Sequence, residues 1–128
     1  MDVVVKTSKI HGKGVFAFRS FKKGEIVLRW KPKELTKEQV EQVSEKEKPY
    51  VSFLDGKYLL EQPPERYVNH SCDPNTTVQN LCDVAKRDIK KGEEITSDYA
   101  ETALPDLRMD CKCGSRKCRG VIETKSTC

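Results

Sequence analysis

The stretch RYVNHSCDPN, residues 66–75, sets Asn69, His70, Ser71 and Cys72 side by side directly after an apolar Tyr-Val pair. A loop could carry these as solvated polar residues; a site could use them as ligands. The choice turns on a second stretch, DCKCGSRKCRG, residues 110–120. There Cys111, Cys113 and Cys118 lie close together, with Gly114 allowing a tight reversal between them. Thiolates at this spacing can converge on one tetrahedral zinc ion, but structural zinc takes four ligands. The fourth must be Cys72, Cys82, Cys128 or a histidine. Cys128 ends the chain, where residues fray. Cys82 sits in a strand-like pattern as a small apolar filler. Cys72 is therefore favoured, and a metal joining it to the tail would close the tail over the polar cluster. A disulfide or free thiols are the alternatives. Neither His11 nor His70 has a second histidine or a carboxylate at ligand spacing, which argues against a histidine-based metal site.

The bulk numbers frame this reading. A chain of 128 residues is one domain with a modest core. Hydrophobic residues make up 36% and charged residues 34%, so a metal staple would help a small core. The net charge of +4 is spread over interleaved Lys and Glu (FKKGE, SEKEK, IKKGEE), as on a solvated surface, and gives no direct evidence for a nucleic-acid partner. No stretch reaches the length of a membrane helix. MDVVVKTSK lacks the basic and apolar regions of a signal peptide. Six cysteines without such a signal point to a reducing, intracellular compartment, where clustered cysteines bind metal or do redox chemistry more often than they form disulfides.

Along the chain, VVVK, GVFAF, EIVLRW, YVSFL, KYLL, RYVN, TTVQ, CDVAK and EEITSDY read as short strands. Asp55-Gly56 predicts a two-residue hairpin turn. SFKKGEIV and DIKKGEEI read as two similar turns and not as a repeat. One surface helix is predicted over about 36–48. Thr36 is its N-cap with Gln39 as capping-box partner, Leu35 and Val40 form a staple, and Pro49 stops it. The expected fold is mainly β (α+β).

Two further features have a structural and a chemical reading. Gly12 and Gly14, in HGKGVF, either make a tight turn into a strand or let the backbone approach a ligand. Tyr99, closing EEITSDY, is either a rim residue or a hydroxyl aimed at a reacting centre.

Taken together and in order, HGKGVFA, RYVNHSCDPN, KKGEEITSDY and CKCGSRKCRG resemble the SET-domain protein lysine methyltransferases, over about residues 3–122. The resemblance implies several short β-sheets, a pseudoknot near the NHS and DY motifs, and a SET domain over 1–105. A post-SET zinc segment would follow over 106–123 and a disordered tail over 124–128. It implies S-adenosylmethionine as methyl donor, a protein substrate presenting lysine (a histone or another protein), and one structural zinc on Cys72, Cys111, Cys113 and Cys118. By position, Gly12, Lys13, Gly14, Val15, Tyr58, Arg66, Tyr67, Asn69 and His70 would contact the cofactor, and Tyr99 would be the catalytic tyrosine. Trp30, Ser97, Tyr99 and Ile122 would line the lysine channel, and Val121 and Ile122 would pack against the cofactor or the channel.

This sequence departs from the family pattern where a Glu-Tyr pair is common, with Arg29 and Trp30 there instead, and at Ser97, where Phe or Tyr is common. A small Ser97 leaves room for a bulkier product or a water. No cysteine-rich pre-SET segment precedes the domain. The expectation is an active methyltransferase. The alternatives are a catalytically silent module that binds a lysine-bearing peptide and a bare zinc-binding interaction domain.

Overall fold

A computed structural model describes residues 2–102, 108–111 and 113–123. The expected boundary at 105/106, the tail 124–128 and Cys128 lie outside the described residues. Four small sheets and one short helix make up the described chain. In chain order the strands are β1 (Val3–Thr7), β2 (Lys13–Ala17), β3 (Ile26–Arg29) and β4 (Lys33–Leu35). Helix α1 (Lys37–Gln42) follows, then β5 (Val51–Leu54), β6 (Lys57–Leu60), β7 (Asn69–His70), β8 (Thr76–Gln79), β9 (Cys82–Ala85), β10 (Glu94–Ser97), β11 (Arg108–Asp110) and β12 (Val121–Glu123). The sheets run β1-β2-β10-β7, β3-β9-β8, β4-β6-β5 and β11-β12. Among the described residues no helix is long and apolar enough to cross a membrane.

Local signals account for much of this. Asp55 and Gly56 both take positive φ, 50° and 76°, and join β5 to β6 in register Leu54↔Lys57. Thr36 caps α1 with the full box: its hydroxyl accepts from the Gln39 N–H, and Gln39 accepts from the Thr36 N–H. The helix buries no residue, as its thin apolar face predicts, and is shorter than expected. Its predicted stop, Pro49, lies instead in a separate 3-10 turn, Lys48–Tyr50. RYVN is not one strand: a 3-10 turn over Glu65–Tyr67 follows Pro63-Pro64, and only Asn69 and His70 extend. The short, charged β4 carries no apolar alternation and was not predicted.

The two KKGE segments are related in space. Phe21 and Ile89 exchange both backbone hydrogen bonds at 2.8 Å. Gly24 N–H donates to the Ala85 carbonyl and Gly92 N–H to that of Ala17; Ala85 N–H donates to the Glu25 carbonyl and Ala17 N–H to that of Glu93. Each contact made by one turn is returned by the other. Accordingly β2 pairs with β10 and β9 with β3, and the core of Val15, Ala17, Phe21, Val27, Val68, Ala85, Ile89 and Ile95 packs between them.

Strand β10 organises the centre. Its partner on one side is antiparallel β2; on the other, β7 runs parallel, with Thr96 opposite Asn69 and Ser97 opposite His70. The chain after β7 then folds around β10. Ser71 N–H donates to the Ser97 carbonyl, the Asn75 side chain accepts from Thr96 N–H and donates to the Glu94 carbonyl, and the Thr76 hydroxyl donates to the Thr96 carbonyl.

Candidate active site

Beside this crossing lies a cavity of about 510 Å³. Gly12, Lys13, Arg66, Tyr67, Asn69, Tyr50, Ser52, Glu61, Tyr99 and Thr102 are among the residues that line it. Parallel pairing of β7 with β10 brings together residues that are far apart in sequence. Asn69 and His70 end up beside Ser97, and Tyr99 follows directly. Tyr99 does not end the strand. Asp98 breaks out of β10 and caps a 3-10 turn, Tyr99–Glu101, by accepting the Ala100 N–H.

Asn69 is held by its amide nitrogen, which lies 3.1 Å from the His11 carbonyl, 3.0 Å from that of Lys13 and 2.9 Å from the Glu94 carboxylate. These bonds occupy both of its N–H groups and leave its oxygen as the acceptor at the cavity wall. Glu94 also accepts the Ser8 hydroxyl. A Cβ on Gly14 would run into that carboxylate and Ser8, so Gly14 is glycine to make room for Glu94. Gly12 has φ +45° and open space around it, which suits approach by a ligand.

The Tyr99 hydroxyl donates to the Val68 carbonyl at 2.8 Å. Burial, then the nearby Glu61 and Tyr50, raise its pKa well above that of free tyrosine, so it stays a neutral phenol. With its hydrogen committed, it has oxygen lone pairs left to offer.

Arg66 braces the cavity wall. It donates to the Glu61 carbonyl at 3.0 Å, lies over the Tyr50 ring and pairs with Glu47 at 2.6 Å. Lys13 sits over the Tyr67 ring. Several predicted residues stand off the described lining. Val15 is fully buried in the core. Tyr58 packs on Phe53, and buried Trp30 donates from its indole to Asp83 at 2.9 Å. Ser97 is buried at the end of β10, and Ile122 is buried on β12, with Val121 half-buried beside it. Tyr50, Ser52 and Glu61, by contrast, line the cavity and were not singled out in the sequence. Their only signal was position, at the start of one strand and the end of its hairpin partner.

Next to the cavity is a sulfur cluster. The Cys72 and Cys111 sulfurs are 3.7 Å apart, as are those of Cys118 and Cys111. Cys113 joins Cys72, Cys111 and the His70 ring in a group whose ligand atoms all lie within 4.8 Å of one another, a Cys/His cluster able to hold a metal. The described cysteines are all free thiols. Burial raises the Cys111 thiol; at Cys113 the backbone N–H groups of Cys72 and Ser115 outweigh burial and lower it. Arg119 ties the tail down, its N–H on the Cys72 sulfur at 3.3 Å and its guanidinium on Asp98 at 2.7 Å. Burial would raise Asp98, but Arg119 and the Ala100 N–H outweigh it and keep it ionised.

His70 stands between the cluster and the cavity. Its Nδ1 accepts the Tyr99 N–H at 3.0 Å and its Nε2 lies 3.3 Å from the Cys72 sulfur. Burial lowers its pKa, so it is neutral, and an accepting Nδ1 puts the ring proton on Nε2.

A family profile for the SET domain matches residues 12–100. The chain belongs to the SET-domain family. The histone-lysine N-methyltransferase TRX1 of Oryza sativa is 34% identical to it over 90% of this chain, and set-2 of Caenorhabditis elegans is 30% identical over 90%. This SET chain spans only 13% and 9% of those two proteins. The H3 lysine-9 specific dim-5 of Neurospora crassa is 34% identical over 54% of the chain and 27% of its own length. A solved structure from Plasmodium falciparum, described as a candidate histone methyltransferase, shares the fold with a TM-score of 0.65 at 24% identity. It covers 77% of this chain and 92% of that one. The small sheets and single helix are thus those of a SET fold.

Proposed function

We propose that this SET domain transfers methyl groups from S-adenosylmethionine to a lysine amine of a protein substrate, a histone or another protein, inside the cell. The observation that carries the reading is the single cavity onto which both Asn69 and Tyr99 open. Its lining suits the cofactor's amino-acid end: the Asn69 oxygen is free to accept from an ammonium, and Gly12 leaves open space. S-adenosylmethionine supplies an already activated methyl group, so the protein needs no nucleophile of its own. What remains is alignment. Tyr99, held by Val68, offers lone pairs that orient the substrate amine, and the buried surroundings disfavour its ammonium form. Trp30 bears little on the silent-module alternative, because its indole is engaged by Asp83 away from the lining.

The tail is read as a zinc closure on Cys72, Cys111, Cys113 and Cys118. The two 3.7 Å sulfur separations match the edge of a tetrahedron with zinc–sulfur bonds of 2.3 Å, about 3.8 Å. His70 is read as lying outside the ligand set. With Nδ1 accepting a backbone N–H, its proton occupies the Nε2 position facing the sulfurs, and a ligating Nε2 would require an imidazolate.

Calorimetric titration of zinc-loaded protein with S-adenosylmethionine and with S-adenosylhomocysteine tests the central reading. One-to-one binding weakened at least tenfold by Asn69→Ala is expected; folded protein that binds neither would overturn it.

A further inference from the structure

The methyltransferase reading leaves one titratable group in the cavity without a task. Glu61 follows β6, half-buried, on the same lining as Tyr99 and Tyr50. Its Oε2 accepts the hydroxyl of Ser52, itself 2% exposed, at 2.6 Å. Every cation on that lining is engaged elsewhere: Lys48 with Glu45, Lys13 over Tyr67, and Arg66 with Glu47 and the Glu61 carbonyl. Among the described residues, none pairs with the Glu61 carboxylate. It shares that lining with Tyr99, the residue read as catalytic.

A carboxylate on a cavity wall without a cation is matched to an incoming one. We infer that Glu61 is a catalytic residue that pairs with the substrate's charged amine and takes one of its protons. The inference rests on the lysine methyltransferase reading. The ammonium N–H bond breaks, an O–H bond forms on Glu61, and the electron pair stays on nitrogen. That pair then forms the bond to the methyl carbon as the carbon–sulfur bond breaks toward sulfur. The product leaves as a methylammonium, and Glu61 returns its proton to solvent through the cavity.

Between ordinary lysine and ordinary glutamate this transfer is opposed by a factor of about a million. The site closes most of that gap. Burial raises Glu61 to about 8, assisted by the charges of Asp83 and Glu65 and opposed by the Ser52 hydroxyl and Arg66. Tyr99, on the same lining, stays a neutral phenol because burial raises it. A proton acceptor near the working pH is the efficient one.

Glu61→Gln keeps the size and the Ser52 contact but cannot take a proton. The test, run at about pH 9 so that Glu61 is ionised while the amine stays charged, uses zinc-loaded protein saturated with S-adenosylhomocysteine and follows cavity resonances by NMR during titration with n-butylammonium, and with neutral 1-butanol. Wild type is expected to bind the ammonium, Glu61→Gln at least tenfold more weakly, and both to bind the alcohol alike. Glu61→Met, which also removes the carboxylate, provides the same comparison if Glu61→Gln does not fold. Equal ammonium binding by wild type and variant, with cofactor bound in both, overturns the role of Glu61 alone. Failure of wild type to bind cofactor overturns the methyltransferase reading instead.

Discussion

The Nδ1 of His70 accepts the backbone N–H of Tyr99 at 3.0 Å, while its other nitrogen faces the Cys72 sulfur at 3.3 Å. One imidazole therefore touches both the sulfur cluster and the turn that carries the phenol. A metal-bound thiolate gains from such a donor. His70→Phe is expected to weaken zinc about 10–100-fold, measured by competition with a chromophoric chelator, and to shift the Tyr99 amide resonance. Unchanged zinc affinity would remove His70 from the metal's surroundings.

The ligand set has its own test. Cys118→Ser should lower zinc content and loosen the tail, since a missing ligand removes folding energy supplied by the metal. Cys82→Ser should not, because that sulfur, on β9, contacts the carbonyl of Asn80 in the preceding turn. Elemental analysis showing one tightly held zinc per chain in Cys118→Ser would exclude Cys118.

Tyr99→Phe removes a hydroxyl bonded to Val68 while leaving a ring that packs tilted against His70 at 5.2 Å. Turnover on a histone substrate is expected to fall at least tenfold, with cofactor affinity kept within about twofold, since one hydrogen bond is at stake and the fold is not. Near-normal turnover would remove its catalytic role.

Gly14→Ala should damage the proposed cofactor site indirectly. The added methyl meets Glu94, which fixes the Asn69 amide. A stability loss of about 1–3 kcal/mol, typical of overpacking, is expected in denaturant melts, together with weaker cofactor binding.

Asp83 is fully buried; its Oδ2 accepts from Trp30 and its Oδ1 has no partner. Burial raises it to about 7, with Trp30 opposing. The folded state then holds a proton that the unfolded chain, near 3.8, has released, so this contribution to stability is full below about pH 4 and declines as pH rises toward 7. Asp83→Asn should flatten that part of the curve, by up to about 1 kcal/mol per pH unit. Parallel curves for the two proteins would rule out Asp83 as the source.

Sequence carried the features that depend on neighbours. Asp55-Gly56, the Thr36 capping box and the spacing of Cys111, Cys113 and Cys118 each state a local geometry. Asn69, His70 and Tyr99 could be singled out, but not the parallel pairing of β7 with β10 that unites them, because parallel partners are joined through long connections. RYVN looked like a strand because Tyr67 and Val68 are apolar, whereas the preceding Pro63-Pro64 leads into a 3-10 turn. Glu61 and Ser52 stayed hidden for another reason. Alternation along a hairpin separates two faces but does not say which one borders a cavity.

The reciprocal bonds between the two KKGE turns also set a schedule for the nascent chain. Until Ile89 emerges from the ribosome Phe21 has no backbone partner, and until Glu94 and Ile95 follow, β2 has one edge uncovered. Contacts this distant in sequence form late and slowly. The carbonyls of His11 and Lys13 that hold Asn69 thus wait on nearly the whole domain, and any ribosomal stall before β10 leaves a chain with a bare strand edge and without the cavity wall that Asn69 forms.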